Sequence, residues 1–266
     1  MTKIIVAGAC GRMGQSILKL ALKDSSIQIA GAFERSDHSS LGRDVGEILG
    51  QEPVKVPVHP DLRECVSSGD VIIDFTHPAA TAQNLKVAIQ NKVGMVIGTT
   101  GLSDVFIREL KKASKKIPIV QAPNMSLGVN LLFKLVNLTA QILDNSYDVE
   151  IVEAHHRHKK DAPSGTALEL VRQVASGRKI NLESNVIFGR KGDAGARKAG
   201  VIGVHAVRGG DVVGDHDVQF MTEGERIELV HKASSRDAFA KGALLAAKFV
   251  AKKQNGFYNM QQVLGL

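Results

Sequence analysis

The feature that most constrains the fold is a glycine-rich turn near the amino terminus, set between an apolar strand pattern and a helical one. Residues 3–7 form the apolar run, residues 8–14 read GACGRMG, and helical periodicity follows over residues 16–22. Glycine lets a backbone turn sharply and approach a pyrophosphate, while a helix start offers N–H groups to the anion. The spacing is GxxGxxG rather than the commoner GxGxxG, but its strand–turn–helix context predicts a dinucleotide site.

Strand and helix patterns alternate through the rest of the first half. Strands are predicted over residues 27–33, 71–75, 95–98 and 117–121, and helices over residues 79–89 and 103–116. Continuously apolar strands separated by helices indicate a parallel sheet covered on both faces. We therefore expect an α/β fold with a Rossmann-type doubly wound sheet, and ligands at the carboxyl ends of its strands.

The pattern changes after about residue 127. A helix over residues 128–143 is followed by predicted strands at 147–154, 201–207, 211–221 and 226–232, and a last helix at 237–253. The last three strands are joined by short turns at 209–210 and 223–224, so we expect them to be antiparallel, since parallel neighbours need a long crossover. These elements predict a second, α+β domain on a mixed sheet, in which the Gly-rich and charged residues 190–200 form a mobile loop.

Composition limits the possible partners. The net charge is +7, but aromatic residues make up only 4% and tryptophan is absent, so base-stacking platforms are scarce and we expect no nucleic acid partner. A positive field instead suits a small anionic substrate. The two cysteines form no CxxC pair, no apolar run is long enough for a membrane, and no signal peptide precedes the first strand. These observations predict a cytoplasmic protein with neither a disulfide nor a membrane partner.

The second strand ends in an acidic and a basic residue. Glu34 lies 20 residues beyond Gly14, where a carboxylate accepts hydrogen bonds from the adenine ribose. Arg35 suits a 2′-phosphate and stacks on adenine. The pair predicts that both NADH and NADPH are accepted. Two more polar turns, GTTG at residues 98–101 and APNMS at residues 122–126, fall at the carboxyl ends of strands, where a nicotinamide would lie.

The strongest local signal is the segment 153–167, EAHHRHKKDAPSGTA, which holds three of the nine histidines within four positions. Crowded cations repel one another, which favours proton release near neutral pH. His155 and Lys159 are four apart, which places them on one side of either a strand or a helix. Residues 161–166 signal a helix start, so the amides of Gly165 and Thr166 predict an anion site for a dicarboxylate.

Two other interpretations of this segment stay open. Histidines bind metals, but Glu153 and Asp161 are the only carboxylates in the segment and the surrounding cations repel a metal ion, so we predict none. The segment is also compatible with a solvated basic loop.

With these motifs placed, the sequence resembles the 4-hydroxy-tetrahydrodipicolinate reductase family, from Val6 to Leu266. The resemblance rests on the glycine turn, the segment 153–167 and four shorter motifs: DFTHP at 74–78, GTTG at 98–101, APNMS at 122–126 and HKASSR at 231–236. It implies reduction of a cyclic, hydroxylated dicarboxylate to tetrahydrodipicolinate with loss of water, in lysine biosynthesis through diaminopimelate. It also implies a homotetramer, in which domain closure brings cofactor and basic segment together.

The resemblance also implies residue roles. His155 matches the proton donor or acceptor, Lys159 a proton donor, and His156 with Gly165 and Thr166 the substrate-carboxylate site; which of His155 and Lys159 delivers the proton stays open. The cofactor contacts implied are Gly8, Ala9, Cys10, Gly11, Arg12, Met13, Glu34, Arg35, Gly98, Thr99, Thr100, Ala122, Pro123, Asn124 and Met125. Met125 stands where the family usually has Phe, so ring stacking is not expected there.

The resemblance further implies a division into residues 1–126 with 236–266 for the dinucleotide, and 127–235 for substrate and tetramer formation. Two other classes of protein fit the sequence less well. A semialdehyde dehydrogenase needs a nucleophilic cysteine, but Cys10 lies in the phosphate turn and Cys65 in a helical stretch. A non-enzymatic NAD(H) sensor does not need the 155–166 arrangement.

Overall fold

The computed structural model describes residues 1–182 and 184–266. Residue contacts divide them into two units, the first formed by Met1–Leu127 with Arg236–Leu266 and the second by Gly128–Ser235. The strands are β1 Thr2–Ala7, β2 Ile27–Phe33, β3 Val58–His59, β4 Val71–Asp74, β5 Gly94–Ile97, β6 Pro118–Gln121, β7 Asp148–His155, β8 Val186–Phe188, β9 Ile202–Arg208, β10 Gly214–Thr222, β11 Glu225–Ala233 and β12 Gly256–Tyr258. The helices are α1 Arg12–Ala21, α2 Val45–Ile48, α3 Pro78–Asn91, α4 Asp104–Ala113, α5 Leu127–Ile142, α6 Gly165–Arg178, α7 Asp237–Val250 and α8 Met260–Leu264.

The first unit is built on a parallel sheet with the order β12-β6-β5-β4-β1-β2-β3. Its central strands are apolar on both faces: Ile4, Ile5, Ile72 and Ile73 are fully buried. The two faces belong to two separate apolar clusters, because helices cover both sides. The strand order reverses at β1, which pairs with both β2 and β4, and this is where a doubly wound sheet opens a crevice for a ligand.

The second unit holds a mixed sheet with the order β11-β10-β7-β9-β8. One face of this sheet packs with α5 and α6 in a single apolar cluster that includes Ile151, Leu170 and Phe220. Side chains alternate across a strand, so Glu153 and His155 of β7 share this face with Ile151. The predicted α/β fold with a Rossmann-type sheet and a second, mixed-sheet α+β region is confirmed.

One expectation about pairing was wrong. The short link between β9 and β10 suggested neighbouring antiparallel strands, but β7 lies between them, parallel to β9 and antiparallel to β10. The two linked strands therefore run in opposite directions without exchanging hydrogen bonds. The Glu223-Gly224 turn does join a paired antiparallel hairpin, β10 with β11.

Several predicted bounds also differ. The strand expected over residues 71–75 ends at Asp74, whose side chain accepts a hydrogen bond from the Thr76 amide and turns the chain. The helix expected to end at residue 116 ends at Ala113, before β6 begins at Pro118. Cys65, expected in a helical stretch, lies between two 3-10 turns, Leu62–Glu64 and Val66–Ser68.

Within residues 1–182 and 184–266, none of the helices combines the length and apolar character needed to cross a bilayer.

Candidate functional site

The glycine turn after β1 has the geometry of a phosphate cradle. Gly8 has a φ of +64°, in the left-handed region that favours glycine. A Cβ on Gly14 would lie 2.2 Å from the Gly8 carbonyl oxygen, so the turn packs directly against the first helical residues. Gly11 is the N-cap of α1 and provides no side-chain cap, which leaves the amino end of the helix suited to an anion.

Glu34 follows β2 and is tied to the same turn. Its Oε2 atom accepts a hydrogen bond from the Cys10 amide at 3.1 Å, and its Oε1 atom accepts one from the Arg35 amide at 3.0 Å. The Arg35 guanidinium forms an exposed ion pair with Asp37 at 3.1 Å. Sequence spacing thus places Glu34 and Arg35 beside the cradle, where their side chains suit the ribose end of a dinucleotide.

The two other predicted cofactor turns lie at the carboxyl ends of β5 and β6. Gly98 has no room for a Cβ, which would meet the Phe75 ring at 2.2 Å. Thr99 is buried and its hydroxyl accepts a hydrogen bond from Thr81 at 2.9 Å. Its side chain therefore braces the turn rather than pointing at a ligand.

The 122–126 turn is braced in a similar way. Met125 is buried, and its carbonyl oxygen lies so close to Gly242 of α7 that a Cβ there would be 1.7 Å away. The Asn124 side chain accepts a hydrogen bond from the Ser126 amide at 2.8 Å. Both turns are thus set by packing, and their backbone atoms are the groups available to a nicotinamide.

A buried network of hydrogen bonds around Asp74 stabilises the carboxyl ends of β4 and β5. Asp74, fully buried at the end of β4, accepts hydrogen bonds from the Thr76 amide at 2.9 Å, the Thr76 hydroxyl at 2.6 Å and the Asn84 amide group at 2.9 Å. Thr99 adds a longer contact at 3.3 Å. The network links β4 with α3 and the turn after β5, and so holds the carboxyl edge of the sheet.

In the second unit, the predicted basic segment begins with a histidine held by a buried carboxylate. His155 is the last residue of β7, and its Nδ1 atom lies 2.6 Å from Oε2 of the fully buried Glu153. Arg208, at the end of β9, donates to both oxygens of Glu153 at 2.8 Å. The Ser164 amide donates to Oε1 at 3.0 Å.

These donors decide the charge of Glu153. Burial by itself raises the pKa of a carboxyl group, but the hydrogen bonds from His155, Arg208 and the Ser164 amide together lower the pKa of Glu153 to about 2. The carboxylate is therefore ionised at neutral pH.

Lys159 is placed differently from the expectation. It lies in the segment between β7 and α6, neither on a strand nor on a helix, so the argument from four-residue spacing does not apply. Its Nζ atom forms an ion pair with Asp161 at 2.9 Å, and Arg208 donates to the Asp161 carbonyl at 2.6 Å. The backbone of the segment is fixed by a hydrogen bond from the Arg157 amide to the Gly210 carbonyl at 3.2 Å.

The predicted anion site at residues 165–166 is the start of α6. Ser164 is the N-cap and accepts a hydrogen bond from the Ala167 amide at 3.1 Å, so Gly165 and Thr166 form the first turn. Gly165 is exposed, and His156 and Thr166 are half-buried. First-turn amides have no acceptor within their own helix, which suits a carboxylate.

Sequence reasoning gave no role to three residues that contact the Glu153–His155 pair. They are Arg208, Ser164 and His216. His216 of β10 is buried, with its ring 5.3 Å from that of His155 in an edge-to-face arrangement. Burial, and then the electrostatic effect of the neighbouring His155, lower the pKa of His216 to about 3, so the His216 ring is neutral. Strand alternation on β10 predicts that the His216 side chain is buried. It does not predict that β7, with His155, is the neighbouring strand.

The loop over residues 190–200 is more firmly tied than the sequence suggested. Glu150 of β7 accepts hydrogen bonds from Arg190 at 2.6 and 3.0 Å and from Arg197 at 2.9 Å, and it lies 2.7 Å from His205. Burial raises the pKa of Glu150, but these contacts lower it to about 2. Glu150 lies on the other face of the sheet from Glu153 and His155, so the loop's contacts with Glu150 are made on the opposite face.

Metal-binding side chains and cavities also bear on which ligands the chain can hold. Across the described parts of the chain, no three His, Cys, Asp or Glu side chains are grouped in a way that suits a metal ion. A cavity of about 760 Å³ lies at the amino ends of β1 and β2, with Lys3, Ile27 and Ser68 in its wall. Ligands of doubly wound sheets bind at the opposite edge, so we assign this cavity no part in the site.

A Rossmann-type unit with a phosphate cradle, joined in one chain to a unit that carries the His155–Glu153 pair and the Lys159–Asp161 ion pair, is typical of pyridine-nucleotide-dependent oxidoreductases. Two family models match, described as "Dihydrodipicolinate reductase, N-terminus" over residues 2–125 and "Dihydrodipicolinate reductase, C-terminus" over residues 128–264. The chain belongs to the dihydrodipicolinate reductase family.

Individual relatives agree with this assignment. The 4-hydroxy-tetrahydrodipicolinate reductase of Syntrophus aciditrophicus is 46% identical over 265 residues, covering 100% of this chain and 99% of the relative. That of Bordetella pertussis is 48% identical over 264 residues, covering 99% and 97%. A solved structure, dipicolinate-bound dihydrodipicolinate reductase from Paenisporosarcina sp. TG-14, has a TM-score of 0.76 at 26% identity and covers 98% of both chains.

Proposed function

We propose that the chain reduces (2S,4S)-4-hydroxy-2,3,4,5-tetrahydrodipicolinate to tetrahydrodipicolinate with loss of water, in lysine biosynthesis through diaminopimelate. The observation that carries the proposal is the identity of 46–48% over nearly the whole chain to relatives bearing this enzyme name. The solved relative with bound dipicolinate supports a cyclic dicarboxylate as the ligand. NADH or NADPH supplies the hydride when bound, and one proton and one water balance the reaction.

The residues of the first unit hold the dinucleotide. Gly8, Ala9, Cys10, Gly11, Arg12 and Met13 contact its phosphates, Glu34 and Arg35 its ribose end, and Gly98, Thr99, Thr100, Ala122, Pro123, Asn124 and Met125 its nicotinamide end. Support comes from the crowded glycine turn and the uncapped start of α1, which together suit a pyrophosphate. Glu34 suits an unmodified ribose and Arg35 a 2′-phosphate, so both NADH and NADPH serve.

The residues of the second unit hold and protonate the substrate. His156 and the amides of Gly165 and Thr166 bind a carboxylate, and the nearby cations offset its charge. His155 and Lys159 are the two groups able to deliver a proton, and each is held by its own carboxylate partner, Glu153 or Asp161.

The test is a coupled assay that generates the substrate in situ and follows nicotinamide absorbance. His155→Ala and Lys159→Ala are each expected to lower turnover about 10²- to 10⁴-fold while dinucleotide affinity stays unchanged. Lys160→Ala, at the exposed neighbouring lysine, is the matched control and keeps full turnover. An equal loss of dinucleotide affinity in both active-site variants would contradict the assigned roles.

We also propose that the chain works as a homotetramer in the cytoplasm. Large apolar side chains recur at helical spacing along one exposed face of α5: Leu131 at 45%, Leu135 at 39%, Leu138 at 47% and Ile142 at 70% exposure. Apolar exposure of this kind is typical of subunit interfaces. Light scattering coupled to size exclusion tests it: a mass near four times 28.5 kDa is expected, and a monomer at micromolar concentration refutes it.

A further inference from the structure

The Glu153 carboxylate accepts hydrogen bonds at all of its acceptor positions. An ionised carboxylate offers about four acceptor positions. Here four N–H donors occupy them: Nδ1 of His155, the Nη1 and Nη2 atoms of the single Arg208 guanidinium, and the Ser164 amide. The Glu153 side chain is fully buried, so no water competes for these positions.

This saturation fixes where the proton of the neutral His155 ring lies. A carboxylate whose pKa is held near 2 carries no proton to donate, so the hydrogen bond of 2.6 Å must be donated by Nδ1 of His155. Nδ1 therefore keeps its proton in both charge states of the ring. The exchangeable proton is then the one on Nε2, which lies on the side of Gly214 and His216.

The groups packed around the pair support this assignment. Arg208 from β9 balances the charge of Glu153, while His216 from β10 is neutral because burial lowers its pKa to about 3. Burial also lowers the pKa of His231 on β11. In the segment after β7, Lys159 and Asp161 form an ion pair at 2.9 Å, and Arg208 donates to the Asp161 carbonyl. Glu153 is thus the one carboxylate in contact with the His155 ring among the described residues.

Arg208 extends the effect to the second proposed acid. Besides its two hydrogen bonds to Glu153, Arg208 donates a hydrogen bond to the carbonyl of Asp161, and the Asp161 carboxylate forms an ion pair with Lys159. The Arg208 guanidinium therefore positions two groups: Glu153, which is the partner of His155, and the backbone of the segment that carries Lys159.

We propose that Glu153, locked by Arg208, is a positioning residue of the reductase: it fixes His155 as the Nδ1–H tautomer and so directs its Nε2 proton to the substrate. In the step, the imidazolium gives its Nε2 proton to the reduced substrate and returns to the neutral ring, still donating from Nδ1 to Glu153. The proposal rests on the proposed function for the role of His155, but the tautomer itself does not depend on turnover.

The first test reads the tautomer directly in the wild-type protein. Nitrogen-15 NMR of ring-labelled histidine, followed across a pH series, distinguishes protonated from unprotonated ring nitrogens, and loss of one signal set in His155→Gln assigns it. The expected result is a protonated Nδ1 at every pH, with only Nε2 titrating. An unprotonated Nδ1 in the neutral wild-type ring overturns the proposal, whether or not the chain is an active reductase.

The second test changes the carboxylate. In Glu153→Gln, Arg208 attracts the amide oxygen and the amide NH₂ turns toward Nδ1, so the Nε2–H tautomer gains population. Turnover is expected to fall about 10²-fold, with the KM values for both substrates changed by less than about threefold. Glu153→Asp keeps an ionised acceptor and is expected to restore the Nδ1–H signal and part of the turnover.

Glu150→Gln is the matched control. Glu150 is a buried carboxylate of the same strand, paired with two arginines and a histidine, but on the other face of the sheet. Its variant loses comparable ion pairs, yet is expected to keep the tautomer of His155 and the wild-type turnover. Wild-type turnover in Glu153→Gln refutes the positioning role alone, whereas an inactive wild-type protein refutes the proposed function instead.

Discussion

Adding one methyl group at Gly14 tests whether the cradle holds the dinucleotide. In Gly14→Ala, the new Cβ would lie 2.2 Å from the Gly8 carbonyl oxygen and 2.8 Å from both Cα and the carbonyl oxygen of Ala9. All three are backbone atoms, so no side chain can rotate away. Ordinary contacts of this kind begin near 3.4 Å, and the turn must therefore move by about 1 Å.

Two magnitudes follow from that movement. Overpacking of this size costs about 1–3 kcal/mol of folding free energy, which lowers Tm by about 2–12 °C in a chain of this length. The displaced turn also loses at least one charge-assisted hydrogen bond to the pyrophosphate, worth about 1.5–3 kcal/mol, or about 10- to 100-fold in Kd.

Isothermal titration with NADPH and a thermal melt measure the two effects separately. Gly209→Ala is the control, because a Cβ there meets nothing within 4 Å and the residue lies in the second unit. It is expected to leave Kd unchanged. A Gly14→Ala protein that binds NADPH within twofold of wild type would refute the placement of the pyrophosphate at this turn.

Two further predictions concern charge. Because the folded-state pKa values of Glu150 and Glu153 are near 2, below the ordinary value of 4.5, their stabilisation is complete above that value and is lost as pH falls toward 2. Glu150→Gln is thus expected to be less stable at neutral pH but to lose Tm less steeply between about pH 4.5 and 2 in thermal melts, and parallel slopes would contradict this. Arg35→Ala is expected to raise the KM for NADPH about tenfold, with little change in the KM for NADH. The control is Arg63→Ala, at an unrelated exposed ion pair, which is expected to change neither KM. Equal effects of Arg35→Ala on both cofactors would exclude a contact with the 2′-phosphate.

The parts of the fold that sequence could predict are those encoded locally. The turn at residues 8–14 is predicted by its three glycines between a strand and a helix. The place of Glu34 beside that turn is predicted by its distance of 20 residues from Gly14. β12 was missed because three residues, Gly256–Tyr258, show no periodicity and become a strand only by pairing with β6. Local pattern carries no information about such an edge addition.

The candidate site was predictable in its histidines and lysine, but not in what holds them. Arg208 and Glu153 are 55 residues apart, and their contact exists only because β9 pairs beside β7. The same pairing explains the wrong expectation for β9 and β10. A short link suggested direct neighbours, whereas residues far earlier in the chain, in β7, occupy the place between them.

The central position of β7 in its sheet has a consequence for how the protein folds during synthesis on the ribosome. Both partners of β7 are synthesised later: Val149 pairs with Ile202 and with Phe220. A nascent chain that has emerged only as far as α6 therefore exposes two bare edges of this strand, which invites pairing with other chains. The strand that ends in His155 is completed only when β10 arrives, so a chain truncated before residue 214 should aggregate rather than accumulate as a partly folded reductase.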